Sequence, residues 1–391
     1  MKVLSVNAGS SSLKFQVYEM PEEKVLLKGL FERIGLDGSY TIRYNDEKVK
    51  KDLPLHDHED AVKLLIDELF NYHIIESLDE IKGIGHRVVQ GGDKYNHSVI
   101  VTDEVVQDIE DLIPLAPVHN GAHVLGIRAF QKLVPNATSI VVFDNAFHAT
   151  MEEEQYLYPV PYEWYQNFGV RKYGFHGTSH KYIAHRISEI FGRNDLKIIN
   201  CHIGNGGSLC AIQNGKCIDT SMGFTPAAGI MMGTRAGDID TSFVPFVMER
   251  TGKTAAQIVD DLNKKSGLLG ISGISGDFRD VLTEIEKGNE RAILARNMYI
   301  NRIVDYIARY YVELEGCDVL CFTAGVGENN AEIRAMILNK LSVLGFKLDA
   351  EANKVNGQEQ KISADDSSFM AYVIPTDEEL MIARETYSFI D

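Results

Sequence analysis

Between Asn7 and Leu13 every residue is Ala, Gly or Ser, within the run VNAGSSSLKF at residues 6–15. Small side chains let a backbone approach a ligand closely, and the N–H groups of such a turn form a cradle for an anion. A phosphate is the first chemistry this stretch suggests; the plainer alternative is a polar β-turn, where Gly and Ser are common anyway. Two further small-residue runs lie downstream, IGNGGS at 203–208 and FTAGVGENN at 322–330. Neither they nor any other window supplies GxxxxGK[ST], and the third Gly of GxGxxG is missing from both, which sets aside two common nucleotide folds. What remains is a pair of Gly/Ser hairpins that could clasp a polyphosphate from opposite sides. The strand–Gly–helix turn at 322–330 would then serve base and ribose, which makes an economical ATP site.

The elements that must position these runs read as an α/β protein. Residues 2–6, 13–20 and 25–30 look like three strands joined by tight turns, the second alternating Leu13, Phe15 and Val17 with Lys14, Gln16 and Tyr18. Helical patterns near 58–70, 102–113 and 121–132 then alternate with strands near 84–89 and 139–143, the order of a mixed sheet covered by helices. The opening pattern restarts at 197–202, with a small-residue turn, a strand at 209–213, and a third strand after the Asn214-Gly215 turn signal. Ser12-Leu13 and Ser208-Leu209 thus stand about half the chain apart in the same setting. This is read as an ancient duplication into two similar domains facing a central cleft. The boundary is expected between about 145 and 170, before the helix-like run 182–191. Near the other end, PTDEEL opens a final helix, with Thr376 as N-cap, Glu379 completing a capping box and Glu378 in the first turn. A long apolar helix-like stretch, 290–314, is either core or a dimer face.

Composition narrows the partners. With 39 basic and 56 acidic residues the net charge is −17, and no Lys/Arg-dense segment is present to track a phosphodiester backbone, so nucleic acid is excluded as a partner. Cys201, Cys210, Cys217, Cys317 and Cys321 are odd in number and lack zinc-like spacing, which suits a reducing cytoplasm. No signal-peptide pattern and no apolar run of membrane-spanning length occurs, so a soluble protein without membrane attachment is expected.

The motifs together carry a family resemblance. VNAGSSSLKF, GHRVV, APVHN, FDNAFH, YGFHGTSH, CHIGNGGS, GIMMGTRAGDID, GLLGISG, FTAGVGEN and IPTDEELMIARE run in order from residue 3 to 385, and the chain resembles the acetate kinases. These belong to a superfamily with sugar kinases, actin and heat-shock chaperone ATPases. The resemblance implies two duplicated domains of the actin-like ATPase, ribonuclease H-like fold. They would be an N-terminal domain, 1–145, on which a final helix 377–391 packs back, and a C-terminal domain, 146–376, carrying the nucleotide site and a homodimer interface. It implies reversible transfer of the ATP γ-phosphate to acetate, giving acetyl phosphate and ADP, with Mg²⁺ or Mn²⁺. The acceptor is a carboxylate already ionised at neutral pH, so no general base is required; the site must instead quench repulsion between anions.

Residue by residue, the resemblance implies that Arg87 grips the acetate carboxylate, its planar fork matching two oxygens. Val89, Val118, His119, Phe175 and Pro226 would complete the substrate pocket. Asp144, His176 and Arg235 are the implied catalytic set: His176 as donor to the phosphoryl oxygens, Arg235 as charge stabiliser, Asp144 as orienter or base. For ATP the matches are Lys14, Ser10, Ser12, His202, Ile203, Gly204, Asn205 and Gly206. To these the resemblance adds Asp277, Phe278 and Arg279, and Gly325, Val326, Gly327, Glu328 and Asn329. Asn7 and Glu378 are the implied magnesium ligands, oxygen donors that suit a cation retaining most of its waters. The pairs His176/His180 and His119/His123 have i, i+4 spacing, but without HExxH a zinc site is not indicated; His123 is expected to cap or pack.

Some positions depart from the family pattern. Gln90 stands where His is usual, Gly121, Ala122 and His123 replace a Pro/Asn-containing stretch, and Val118 replaces a common Leu. The missing methylene at Val118 widens the pocket, and one methylene discriminates by roughly 1–3 kcal/mol, so propionate or another short acid is the close alternative substrate. Ala227-Ala228 and the absent Pro after GDID have no physical account. From other classes, a chaperone-like ATPase and a sugar kinase with Asp144 as true base are the competing readings.

Overall fold

Alternation along the first strand sorts its side chains onto the two faces of a sheet. Leu4, Val6 and Ala8 join a buried cluster with helices His58–Asn71 and Asn120–Leu133, whereas Val3 packs on the opposite face with Tyr18, Met20 and Ala383 of the last helix. The structure, a computed structural model, describes residues 1–390. The chain divides into two compact units, Met1–Ala149 together with the C-terminal segment from Asp377, and Thr150–Thr376.

The first unit holds strands β1 (Lys2–Gly9), β2 (Ser12–Glu19), β3 (Lys24–Glu32), β4 (Ser39–Tyr44), β5 (Glu47–Asp52), β6 (Ile81–Val88), β7 (Val99–Ile100) and β8 (Thr138–Phe143). They form one sheet in the order β5-β4-β3-β2-β1-β6-β8-β7. The second unit holds β9 (Lys197–Ile203), β10 (Gly207–Gln213), β11 (Lys216–Thr220), β12 (Val319–Thr323), β13 (Gln360–Lys361) and β14 (Met370–Val373), in the order β11-β10-β9-β12-β14-β13. In each sheet three antiparallel strands lead into two parallel ones, β1-β6-β8 and β9-β12-β14, and a short antiparallel strand closes the edge. The repeated order is the structural counterpart of the repeated sequence pattern. The β4–β5 hairpin is the addition in the first sheet, and its polar, exposed β5 gave no periodicity to read.

The last helix, Glu378–Tyr387, belongs to the first unit and crosses β1 and β6. Gly85 makes this possible: a Cβ there would lie 2.2 Å from Thr386 Oγ1 and 2.5 Å from Ile382 Cγ2. The N-cap of that helix differs from the sequence reading. Asp377, not Thr376, caps it, accepting from Leu380 N at 2.9 Å. Thr376 is engaged elsewhere, its hydroxyl 2.8 Å from Ser179 Oγ and its N–H donating to Glu328 Oε1 at 3.0 Å. The long helix Glu290–Glu313 buries Ala292, Ala295, Tyr299, Ile300, Ile303, Ile307 and Tyr310, so this stripe is core of its own unit, while Leu294 and Val312 of the same helix are exposed. No helix among the described residues is long and apolar enough to cross a membrane.

Candidate active site

In the first unit the functional side chains gather at the ends of β6 and β8. Arg87 lies one residue before the end of β6, and Asp144 follows β8 directly, where parallel strands commonly deliver polar groups to a ligand. Arg87 Nε donates to Asp144 Oδ1 at 2.9 Å and Nη2 to Oδ2 at 2.6 Å, a two-pronged pair with Asp144 almost fully buried. Burial alone would lower the Arg87 pKa, but the Asp144 carboxylate more than offsets it and the net shift is upward. The side edge of the guanidinium is thereby occupied, and the Nη1/Nη2 end is the one left to face a second carboxylate. Glu378, half-buried in the first turn of the last helix, has its carboxyl raised above the ordinary range by burial; Arg87 opposes that shift and Asp144 and Glu379 reinforce it.

The first hairpin is propped from outside. His58 Nε2 donates to the Gly9 carbonyl at 2.7 Å, and Ile34 N to the Ser11 carbonyl at 3.0 Å. Ser10 is exposed, Ser12 and Asn7 half-buried. Lys14 is half-exposed and ion-paired with Glu379. Val89 is buried and His119 half-buried, while Val118 is 64% exposed and contributes no packed wall within its own unit. His123 is buried one helical turn from His119, with neither ring nitrogen partnered among the described residues. Burial pushes its pKa down to about 3, with Arg87 and His119 adding to the effect.

In the second unit the site is built around the β9–β10 hairpin. Arg235, half-buried, donates from Nη1 to the Pro226 carbonyl at 3.0 Å, and burial lowers its pKa with no carboxylate offsetting it. His176 occupies the cap position before helix Gly177–Phe191 with a left-handed φ of 57°, and its ring stacks on His202 at 4.1 Å between centroids. Both groups converge on Gly206, where a Cβ would lie 3.5 Å from Arg235 Nη1 and 3.7 Å from His176 Nε2. Phe175, beside them in sequence, is buried.

Next to this point lies a cavity of about 720 Å³, large enough for a nucleotide. Gly204 and Asn205 of the hairpin, Asp277, Phe278 and Arg279 of the next segment, and Gly325, Val326 and Asn329 line it. Arg279 is bound to Asp277 by two hydrogen bonds, 3.0 Å from Nε and 2.6 Å from Nη2, which with the Arg279 backbone N–H hold the Asp277 carboxyl at about 2. Phe278 is buried against Tyr299 at 5.1 Å between ring centroids. Ile203 and Gly327 sit behind the wall, both buried, and Glu328 turns inward. Its Oε1 accepts from Ala324 N at 2.6 Å, Thr323 Oγ1 at 3.2 Å and Thr376 N at 3.0 Å. Ala324 has a left-handed φ of 65°, a conformation costing a non-glycine residue roughly 1–2 kcal/mol, so this brace holds a strained turn.

Several contributors escape sequence reading. Leu268, Thr234 and Asn330 line the cavity, each inside a quoted motif but with nothing to distinguish it from its neighbours there. Arg334, 0% exposed, clamps the segment from beneath, donating to the carbonyls of Gly327, Glu328, Asn353 and Val355 at 2.7–3.0 Å and to Asn353 Oδ1 at 3.0 Å. A buried Arg looks like any surface Arg in one sequence; only its position four residues after Asn330, on the inward face of helix Ala331–Lys340, could have hinted at it.

The acetokinase family model matches residues 2–384. The acetate kinase of Bacillus subtilis is 52% identical over 387 residues, covering 98% of each chain. Among solved structures, Porphyromonas gingivalis acetate kinase superposes with a TM-score of 0.95 at 44% identity over the full length of both chains. A propionate kinase from Francisella tularensis gives 0.94 at 39% identity over 99% of both. The duplicated actin-like ATPase fold expected from the motifs is therefore the fold of this chain.

Proposed function

The chain belongs to the acetokinase family, and from that premise we infer that it is an ATP-dependent kinase transferring the γ-phosphoryl group to acetate, reversibly, with acetyl phosphate and ADP as products. The observation that carries the mechanism is the uncompensated Arg235, converging with His176 on Gly206 beside a nucleotide-sized cavity. A half-buried cation without a counter-ion is unfavourable in the resting protein and becomes favourable when a ligand brings the negative charge.

Acetate is ionised at neutral pH and needs no base. The bidentate bond from Arg87 supports Asp144 as an orienter of that arginine, whose remaining edge would face the acceptor carboxylate. Transfer requires the acceptor oxygen and the γ-phosphorus to come into line, with Arg235 and His176 donating to the equatorial oxygens as charge redistributes. Asn7 and Glu378 are oxygen donors, and the raised carboxyl of Glu378 is one that a nearby cation would favour in its ionised form, so the donor set fits magnesium. A bound magnesium ion would neutralise phosphate charge. Ser10, Ser12 and Lys14, on the small-residue hairpin of the first unit, are the side chains proposed to meet ATP phosphate.

The exposed Tyr162, Trp164 and Phe168 on helix Tyr162–Phe168, none of whose residues is buried, support a homodimer formed through the second unit. The free thiols support a cytoplasmic location. The propionate alternative has its own support in the similarity to a propionate kinase. Trapping the product as a hydroxamate across acids of rising chain length tests both readings. Acetate is expected to give the highest kcat/KM; a higher value with propionate transfers the assignment to it, and no product with any acid overturns the kinase reading.

A further inference from the structure

Three buried side chains lead in single file to His176. Asn200 Nδ2 lies 2.8 Å from His180 Nδ1, His180 Nε2 lies 2.8 Å from Ser208 Oγ, and Ser208 Oγ lies 3.0 Å from His176 Nδ1. Asn200, His180 and Ser208 are all 0% exposed. Each link needs one donor and one acceptor, so the direction of the first sets the rest. With the Asn200 amide nitrogen facing it, and the Asn200 oxygen buried without a hydrogen-bond partner on the other side, His180 Nδ1 must accept, because an amide nitrogen has only hydrogens to give. A neutral imidazole accepting at Nδ1 carries its hydrogen at Nε2, and that hydrogen goes to Ser208 Oγ. The serine hydroxyl has a single hydrogen, which it gives to His176 Nδ1. The hydrogen of the neutral His176 ring is then on Nε2, the atom turned toward Gly206 and Arg235.

We propose that Asn200, His180 and Ser208 are positioning residues that fix the tautomer of His176, so that its Nε2–H is held ready as a donor to the transferring phosphoryl group. This deepens the functional reading above and rests on His176 facing that group. In the opposite tautomer Nε2 would present a lone pair to a phosphoryl oxygen, repelling the charge it should stabilise. Protonating both nitrogens of His176 would make Ser208 accept from two histidines, leaving its own hydrogen without an acceptor in a dry interior. Stacking on His202, itself 2.8 Å from Ser179 Oγ, holds the ring plane in which the tautomer matters.

The test reads the tautomer directly. In the full chain carrying ¹⁵N-labelled histidine, two-bond ¹H–¹⁵N correlations report which ring nitrogen bears hydrogen, and the His176 signals are those lost in His176→Gln. The expected result at pH 8 is a neutral ring protonated at Nε2; protonation at Nδ1, or at both nitrogens, overturns the proposal. Kinetics give a second arm. Ser208→Ala should lower kcat roughly tenfold or more with both KM values within about twofold, because only a transition-state contact is weakened. His180→Gln, whose amide nitrogen can occupy the Nε2 position, should keep most of kcat, whereas His180→Leu should not. Full kcat in Ser208→Ala, or equal loss in a folded His180→Gln and His180→Leu, overturns the relay. The tautomer is measured without substrate, so its failure is distinct from failure of the kinase reading, which the hydroxamate assay tests alone.

Discussion

Each unit holds an arginine among its candidate site residues, and the two are treated in opposite ways. Arg87 is locked edge-on to a buried aspartate, its charge balanced before any ligand arrives. Arg235 leans on a carbonyl oxygen, with burial lowering its pKa and no carboxylate to offset the charge. The difference suits the tasks proposed for them, the acceptor carboxylate for Arg87 and the phosphoryl group for Arg235. A small monoanionic acid needs orientation, and a balanced, rigid guanidinium supplies it at little electrostatic gain. A phosphoryl group in transfer carries charge that must be met, and an unbalanced cation in a low-dielectric setting meets it most strongly. The two hairpins differ in the same sense: Ser12 is half-buried beside an open turn, while Ser208 is sealed within a histidine network.

The sharpest way to break this comparison is Arg235→Ala, expected to lower kcat on the order of 10³-fold, about 4 kcal/mol, with the acetate KM little changed. Steady-state assays in both directions check it, and a loss below tenfold would remove Arg235 from the transition state. Next in size is Arg334→Met, which strips five acceptors of their donor beneath the nucleotide turn. It should destabilise the chain by about 3 kcal/mol or more in urea unfolding and weaken ATP binding, while acetate-site variants leave that affinity alone.

The Arg87–Asp144 pair calls for a double substitution. Arg87→Ala alone strands a buried carboxylate, so stability and acetate KM should both suffer. In Arg87→Ala/Asp144→Asn the stability should largely return while the acetate KM stays raised roughly 100-fold; recovery of both would make Arg87 purely structural. The smallest effect separates the units by pH. His86 and His123 of the first unit are both held to about 3, by burial and, for His123, by Arg87 and His119 as well. The folded state leaves them neutral and the unfolded state protonates them near 6.5, so stability is lost as pH falls below that value. Between pH 7 and 5 each should cost about 2 kcal/mol, with Glu378 opposing. Urea titrations at both pH values should show the first unit weakening, and His123→Asn should remove about half of that slope.

What the sequence made legible was whatever repeated or alternated. The β1–β2 and β9–β10 hairpins, the parallel strands and the helices with apolar stripes all carry periodic signals, and their observed bounds fall within a few residues of the expected ones, as with Lys197–Ile203 and Glu290–Glu313. The β4–β5 hairpin and helix Phe243–Thr251 carry little such signal, since neither β5 nor that helix buries a residue. At the site, motif residues such as Asn205 and Phe278 were legible as types at a spacing. Arg334 and Asn200 were not legible as working parts, because their roles arise from segments far apart in the chain meeting in the interior; Ser208 was legible as part of a phosphate-clasping hairpin, but not as a fully buried partner of His176 and His180. Thr376 shows the same limit locally: its pattern matched a cap, and a tertiary partner, Glu328, took its N–H instead.

The tight seat that Gly85 provides for Ile382 and Thr386 also dictates an order of manufacture. During translation β1, β2, β6 and β8 leave the ribosome early, but the helix that covers Val3, Tyr18, Ile140 and Val142 is made only after all of Thr150–Thr376. At roughly 5–20 residues per second the bare face waits on the order of tens of seconds for its cover. A nascent chain of this design therefore has a window in which chaperones have an apolar sheet to guard, and truncation by a dozen residues at the far end should leave the amino-terminal half sticky although its own sequence is intact.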